Sequence, residues 1–289
     1  MLGCRWAGAA AWPPPRSGQT RCSADVSCGT LAGMTTPERR PPFVLVHGAW
    51  GGAWIWRRVF GPLRAAGHEV HAVTLTGDGE RAHLRHRAIG MGTHVADVVG
   101  LVRAEELDDF VLVGHSYGGA VITAVADRLL DEAAAQPALG KPRALVYIDA
   151  MVPLAGESWS SRHDPELRAR RLALAAANDN ALPPPDPADF GLQGADRDWL
   201  LRRQVPHPFG MYEEPIHFDT PRWLAQPRWF IDCVAPAYPT IAEPRRRART
   251  QPGWVVREME TGHCPMVSRP AELVALLLEA ATGKAAAAR

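Results

Sequence analysis

The chain has 289 residues, 46% hydrophobic and 22% charged, with 32 Lys and Arg against 31 Asp and Glu. This apolar content suits one packed domain and excludes disorder, collagen and coiled coil for most of the length. A formal charge of +1 creates no field for phosphate backbones or anionic lipid, so neither nucleic acid nor a membrane is an expected partner.

Membrane insertion, disulfides and metal binding are not expected either. The longest apolar runs are far shorter than the roughly 20 residues of a membrane helix. The five cysteines are scattered without a C-x-x-C pair, which favours a reducing compartment. Two histidine pairs have no third ligand at the spacing of a metal site: His68 with His71, and His83 with His86. The sequence therefore predicts a soluble, cytoplasmic protein without a metal ion.

Both ends of the chain differ in composition from the middle. Residues 1–33 combine a proline run with scattered Gly, Ser and Cys and have no helical or strand period, which predicts a disordered leader. Met34 is an alternative initiator, in which case the leader is not translated. Residues 284–289 are rich in alanine and are predicted to form a flexible tail. The folded domain is predicted at residues 34–283.

Apolar runs and helical patterns alternate from residue 43 onward. The runs, which suit parallel strands covered on both faces, are Phe43–Val46, Val111–Val113 and Ala144–Ile148. Val70–Leu75 alternates less cleanly. Helices are predicted from an N-cap at Thr93 to Leu107, over Tyr117–Leu130 and over Ala271–Ala281. This order predicts an α/β fold with a mostly parallel central sheet flanked by helices.

Residues 153–228 interrupt the alternation. They contain no clear strand, many prolines and several Trp and Phe residues. A long aromatic insertion between two core strands is typical of a cap over a site, and the alternative is a surface excursion with its own small core. A cap of this composition favours a small to medium, mostly apolar substrate.

A Gly-x-Ser-x-Gly motif lies between a predicted strand and a predicted helix. In Gly114-His115-Ser116-Tyr117-Gly118, a sharp turn forces unusual dihedral angles on Ser116, and the flanking glycines prevent clashes there. The turn points Ser116 Oγ outward and leaves the first N–H groups of the helix beside it. We therefore expect Ser116 to be a nucleophile rather than part of a merely tight turn.

Two other loops offer partners for Ser116. A glycine-rich loop over residues 47–52 follows the first predicted strand, where a second oxyanion donor belongs. We expect the backbone N–H groups of Ala49 and Tyr117 to be the donors, and His47 to be a structural residue under the loop. Late in the chain, His263 follows Ser116 by 147 positions and is the expected general base.

These motifs resemble the α/β-hydrolase superfamily, in its branch of esterases, methylesterases and hydroxynitrile lyases. The resemblance covers about residues 43–280 and rests on segments 46–56, 75–84, 114–119, 147–153 and 262–266, in the family's order. It implies an α/β-hydrolase fold with an inserted cap. It further implies a serine hydrolase without any cofactor that cleaves a small-molecule ester through an acyl-enzyme.

The triad acid departs from the family's pattern. Members usually place an Asp just after the strand that follows the cap, but here Trp229–Val234 is followed by Ala-Pro-Ala-Tyr. Asp149 ends the strand beside that of the nucleophile, and some hydrolases of the superfamily take their acid there. We expect Asp149 to be the acid, and the alternatives are Asp232, Glu243 or a dyad without an acid.

Further side chains are expected to contact the substrate or only to support the fold. Trp50 and His115 are the expected substrate contacts, whereas Trp54 and Trp56 either line the acyl pocket or pack beneath it. The basic run at residues 245–249 is expected to be a solvated helix face, not a nucleic-acid patch.

One rival activity is a lyase that acts on a cyanohydrin. The other is a ligand-binding receptor without turnover, which is favoured by the absence of an acid at the family's usual position. Hydroxynitrile lyases of this branch carry a Thr near the oxyanion loop and a Lys beside the catalytic His, where this chain has Gly48 and Cys264. We therefore expect no cation near His263 that is available to stabilise cyanide, which favours ester hydrolysis. Cys264 lacks the turn that a nucleophile needs. The oligomeric state stays open, with a homodimer as one alternative.

Overall fold

The computed structural model describes residues 40–136 and 140–283, in which eight strands and nine α-helices are present. The strands are β1 (Phe43–Val46), β2 (Val70–Val73), β3 (Phe110–His115), β4 (Pro142–Ile148), β5 (Ala181–Leu182), β6 (His207–Pro208), β7 (Arg228–Cys233) and β8 (Trp254–Met259). The helices are α1 (Arg57–Ala65), α2 (Met91–Ala104), α3 (Gly118–Ala135), α4 (Pro165–Ala176), α5 (Gly194–Leu201), α6 (Thr220–Leu224), α7 (Ala242–Thr250), α8 (Pro265–Ser268) and α9 (Pro270–Ala281). The predicted leader and tail lie outside the described residues.

Six of these strands form one sheet in the order β2-β1-β3-β4-β7-β8, and every neighbouring pair is parallel. Every residue of β1, β3 and β7 is buried, as continuous apolar runs predict for strands covered on both faces. The edge strand β8 is mostly half-buried. The predicted α/β class with a parallel sheet flanked by helices is therefore confirmed. Because all six strands run the same way, their carboxyl ends share one edge of the sheet.

Two helices differ from their predicted limits. Helix α2 begins at Met91 after an N-cap at Gly90, so Thr93 is not the cap. The carboxylate of Glu214 accepts a hydrogen bond from the Met91 N–H, which satisfies a free donor of the first turn from a distant part of the chain. Helix α3 continues past Leu130 to Ala135, because the alanines that follow the apolar pattern are strong helix formers.

The segment between β4 and β7 contains helices α4 to α6 and one short antiparallel pair. Strand β5 pairs with β6, with Ala181 opposite Pro208 and Leu182 opposite His207. The expectation of no clear strand is wrong here, because two-residue strands are too short to show a period in the sequence. Arg228, predicted as the last residue of the insertion, instead begins β7. Its guanidinium lies between the rings of Trp223 and Trp254, at 4.5 and 4.9 Å from their centroids.

Candidate active site

Ser116 lies in a tight turn between β3 and α3. Its φ is 53°, in the left-handed region that side chains other than glycine rarely adopt. The backbone packs so closely at this turn that no side chain fits at Gly114 or Gly118. A Cβ on Gly114 would lie 2.5 Å from the carbonyl oxygen of Gly118, and one on Gly118 would lie 2.7 Å from that of His47. The motif therefore produces the strained geometry that its sequence predicts.

Three side chains from separate loops meet at the carboxyl edge of the sheet. Nε2 of His263 lies 2.9 Å from Ser116 Oγ, and Nδ1 of His263 lies 2.7 Å from Oδ2 of Asp149. Because a carboxylate only accepts hydrogen bonds, Nδ1 carries the proton and Nε2 accepts from the Ser116 hydroxyl. This arrangement has the geometry of a nucleophile, a general base and an orienting acid.

The alternative acids do not face His263. Asp232 is buried in β7 and accepts hydrogen bonds from Arg245 and Arg249 of α7. Glu243 accepts from Arg246 and Arg247 on its own helix. Of the three carboxylates considered from the sequence, Asp149 is the one hydrogen-bonded to His263.

Burial is the largest influence on the pKa values of Asp149 and His263. It raises the pKa of Asp149 to about 7, and the positive charge of Arg245 opposes this rise. Burial also lowers the pKa of His263, and Arg245 lowers it further. A lowered pKa leaves the imidazole neutral at neutral pH, which is the state a general base requires.

The two expected oxyanion donors are close to Ser116, since Ala49 lines the same cavity and Tyr117 is the next residue in the chain. Among the described residues, neither the Ala49 N–H nor the Tyr117 N–H donates to a protein acceptor. Tyr117 immediately precedes α3, whose first amides have no partner within the helix. Gly48 approaches so closely that a Cβ there would lie 2.7 Å from Cβ of Ser116. The glycine-rich loop is thus held against the nucleophile.

Two buried histidines near the site bind backbone groups. Nδ1 of His47 donates to the Gly48 carbonyl at 2.7 Å, and Nε2 accepts from the Leu75 N–H at 3.0 Å. Nε2 of His115 donates to the carbonyl of His263 at 2.7 Å. His47 therefore has the contacts of the structural residue expected from the sequence. His115 supports the loop that carries His263, and its expected contact with substrate stays a prediction.

A small, mostly apolar cavity opens at Ser116, with a volume of about 20 Å³, close to the size of one water molecule. Its wall includes Trp50, Trp54, Ile55, Phe190, Leu200 and His115. Trp50 is fixed by a 2.8 Å hydrogen bond from its Nε1 to the Leu182 carbonyl. Trp56 is fully buried and does not line this cavity, so it packs beneath the site.

A larger cavity of about 370 Å³ lies nearby between residues 151–167 and the start of α7. Its lining includes Met151, Trp159, His163, Leu167, Pro239 and Arg247. Trp159 separates this space from the triad region, since its ring packs on Tyr117 and on Trp50 at centroid distances of 5.5 and 6.3 Å.

The expectation of a solvated helix face holds only for part of the basic run at residues 245–249, because the side chains of Arg246 and Arg249 are 64% and 39% exposed. Arg247 is buried and pairs with Glu157, while Arg245 and Arg249 turn toward the buried Asp232. Arg245 also binds Asp149, the hydrogen-bond partner of His263, but it does not line the cavity at Ser116 and so is not a cation placed to stabilise cyanide there.

Possible metal ligands and thiols lie outside this arrangement. His71 does have neighbours with ligand atoms, because atoms of Glu69, His71 and Glu105 lie within 4.8 Å of one another at the surface. His68 does not belong to this group, so the pair of His68 with His71 gains no third ligand from it. Cys264 is buried, and burial raises the pKa of its thiol, which disfavours the reactive thiolate.

None of the helices in the described ranges combines the length and hydropathy that a bilayer-spanning segment requires.

Comparison with known proteins gives a consistent picture. The model of the alpha/beta hydrolase family matches residues 43–276. A carbendazim-hydrolysing esterase of Nocardioides sp. is 40% identical over 240 residues, covering 80% of this chain and 96% of the relative. Methylesterase 7 of Arabidopsis thaliana is 27% identical over 266 residues, covering 83% and 95%.

The fold is also similar to solved structures. An extracellular α/β-hydrolase from a Paenibacillus species superposes with a TM-score of 0.71 at 22% identity, covering 83% of this chain and 98% of that one. This likeness concerns the fold alone.

Proposed function

Since this chain belongs to the alpha/beta hydrolase family and is a carboxylic-ester hydrolase, we propose that it cleaves its substrate through an acyl-enzyme on Ser116. His263 is the general base and Asp149 the orienting acid. The observation that carries this proposal is the unbroken hydrogen-bonded series from Ser116 Oγ through both nitrogens of His263 to Asp149.

In the first half-reaction, Ser116 Oγ attacks the ester carbonyl carbon while Nε2 of His263 takes the hydroxyl proton. The carbonyl oxygen becomes an oxyanion that the N–H groups of Ala49 and Tyr117 stabilise. Such donors are each worth roughly 10²–10³ in rate. Asp149 stabilises the imidazolium that forms on His263. The carbon–oxygen bond to the alcohol then breaks, and His263 returns its proton to the departing oxygen.

In the second half-reaction, water replaces the alcohol. His263 removes a proton from the water, whose oxygen attacks the acyl carbon. The bond from the acyl carbon to Ser116 Oγ then breaks, His263 returns its proton to Ser116 Oγ, and the carboxylic acid is released. Neither step needs a metal or an organic cofactor.

The proposed substrates are small methyl esters with an apolar body. Two features support this class. The wall around Ser116 is built largely from aromatic and aliphatic side chains. The relative that is 40% identical is named for hydrolysing carbendazim, and others are named methylesterases. Because the cavity at Ser116 holds about one water, side chains of its wall must move to admit the substrate.

The rival activities have less support. A receptor without turnover was favoured by a missing acid, whereas Asp149 lies within hydrogen-bond distance of His263. A lyase would need a cation at the site, and among the described residues Arg245 is the only cation hydrogen-bonded to Ser116, His263 or Asp149. It binds the side of Asp149 away from His263 and so does not face the space at Ser116.

The test is a comparison of wild type, Ser116→Ala and Asp149→Asn on carbendazim and on short and long p-nitrophenyl esters. We expect turnover by wild type with preference for the short esters, and none above background for Ser116→Ala. Equal hydrolysis by wild type and Ser116→Ala would refute the serine mechanism. Preference for long acyl chains would refute the proposed substrate size.

A further inference from the structure

The oxygen of Asp149 that does not face His263 is bound by an arginine. Nη2 of Arg245 lies 3.0 Å from Oδ1 of Asp149, while Oδ2 accepts from His263. The carboxylate is fully buried and the arginine side chain is 15% exposed. Each oxygen of Asp149 therefore has one fixed partner, His263 on one side and Arg245 on the other.

We propose that Arg245 is a positioning residue of this hydrolase, which acts through Asp149 to keep His263 aligned with Ser116. The proposal rests on the proposed function, because it assigns Arg245 a part in the same reaction. Arg245 does not line the cavity at Ser116, so it is not expected to touch the substrate.

The need for such a cation follows from the surroundings of Asp149. The titratable groups that act on it come from several elements: His115 of β3, Asp232 and Cys233 of β7, Arg245 of α7, and His263 and Cys264 after β8. Among these, Arg245 is the one permanent positive charge. Burial and the negative charge of Asp232 both favour a protonated Asp149, and only an ionised carboxylate stabilises the imidazolium during catalysis.

Arg245 is itself held in place. Its Nε donates to Oδ1 of Asp232, and its Nη2 lies 3.4 Å from the Cys233 carbonyl. A guanidinium is planar and offers donors at fixed angles, so one arginine spans the two carboxylates without rotating. Asp232, an alternative acid on sequence grounds, thus serves as the anchor of Arg245.

Arg249 provides a matched control. It also donates to Asp232, at 2.9 Å from its Nε to Oδ2, and it contacts Glu258. It makes no hydrogen bond to Asp149. Arg249→Gln therefore removes an arginine from the same buried carboxylate and the same helix, while leaving the contact between Arg245 and Asp149.

The experiment measures kcat and KM from pH 5.5 to 9 for wild type, Arg245→Gln, Arg249→Gln, Asp149→Asn and the double variant Asp149→Asn/Arg245→Gln, on an ester that wild type hydrolyses. We expect Arg245→Gln to lower kcat by about 10- to 100-fold with little change in KM, because small misplacements of catalytic groups are costly. The loss should grow toward low pH, since an opposite charge no longer favours the ionised form of Asp149. Arg249→Gln should stay within about twofold of wild type.

The double variant separates a positioning role from a merely structural one. If Arg245 acts through Asp149, adding Arg245→Gln to Asp149→Asn costs less than about twofold in kcat. An equal loss in both backgrounds, or equal effects of the Arg245 and Arg249 variants, would overturn the proposal.

If Arg245→Gln does not fold, Arg245→Lys takes its place, because it retains the charge. In Arg245→Lys, kcat should fall at low pH over the same pH range as in wild type. A shift of this fall to higher pH would overturn the proposal. A wild type without any esterase activity would refute the proposed function instead, so the two failures are distinguishable.

Discussion

Oδ2 of Asp149 lies 2.7 Å from Nδ1 of His263, although Asp149 follows β4 and His263 follows β8. Strand β7 lies between these two strands in the sheet. The contact is possible because parallel strands end at one edge, and because Asp149 has a left-handed φ of 39° directly after β4. Aspartate is among the few residues that adopt this conformation readily. An acid at the end of β4 can therefore reach a histidine two strands away.

The choice of Asp149 as the acid is testable against Glu243. We expect Asp149→Asn to lower kcat by up to about 10⁴-fold, because His263 loses the partner that fixes its orientation and tautomer. Glu243→Gln should change kcat by less than about twofold, since Glu243 contacts arginines on its own helix. Steady-state kinetics on one ester checks both. A fully active Asp149→Asn enzyme would place the acid elsewhere.

Because Gly48 approaches the nucleophile closely, a methyl group added at Gly48 is expected to lower both stability and activity. In Gly48→Ala, the new Cβ would lie 2.7 Å from Cβ of Ser116 and 3.0 Å from Nδ1 of His115. We expect the free energy of unfolding to fall by about 1–3 kcal/mol and kcat to fall with it. Gly61→Ala in α1 meets nothing within 4 Å and should stabilise the protein by up to about 1 kcal/mol. Urea denaturation measures the free energy of unfolding of both variants. Similar values for Gly48→Ala and Gly61→Ala would contradict the prediction.

A buried Asp–His pair joins the loop after β2 to β6. Nδ1 of His207 lies 2.9 and 3.0 Å from the two carboxylate oxygens of Asp78, and both side chains are fully buried. Because burial keeps His207 neutral, Asp78→Ala leaves a buried N–H of His207 without its acceptor, and we expect the free energy of unfolding to fall by about 1–3 kcal/mol. Asp131→Ala removes an ion pair to Arg222 at a carboxylate that is 69% exposed, and should cost less than about 1 kcal/mol. Equal shifts in the urea midpoints of the two variants would show that the buried pair stabilises the fold no more than the exposed ion pair does.

The buried histidines predict that acid destabilises the fold. Burial lowers the pKa of five of them: His47, His94, His115, His207 and His263. Their pKa in the unfolded chain is about 6.5, so below this pH the unfolded state binds more protons than the folded state. Their contribution to stability is therefore present above about pH 6.5 and is lost as pH falls toward the lowered values.

Two carboxyl groups act in the opposite direction. Burial raises the pKa of Asp78 and Asp149 to about 7, so these groups bind protons more readily in the folded state. Because the histidines outnumber them, we expect the urea midpoint to be lower at pH 5 than at pH 7. An unchanged or higher urea midpoint at pH 5 would contradict the prediction that the histidines outweigh the two carboxyl groups.

The core strands and the nucleophile turn could be predicted because their signals are local. The apolar runs of β1, β3 and β4 identify strands buried on both faces, and the motif around Ser116 contains every residue that its turn requires. The histidine late in the chain was identified by its order after the serine and by the loop ahead of a helix.

The environment of Asp149 could not be predicted in the same way. Arg245 lies 96 positions from Asp149 and 13 from Asp232, and a run of arginines on a short helix does not reveal which of them turn inward. That direction depends on how α7 packs against β7, which is a tertiary property. The buried charge of Arg247 and the pair of Asp78 with His207 were missed for the same reason.

The central claim is that Ser116 carries the acyl group, and labelling with a fluorophosphonate probe followed by mass spectrometry tests it most directly. We predict one adduct per wild-type chain, located on the peptide that contains Ser116, and none on Ser116→Ala. A wild-type protein that remains unlabelled, or an adduct on another residue such as Cys264, would contradict the claim.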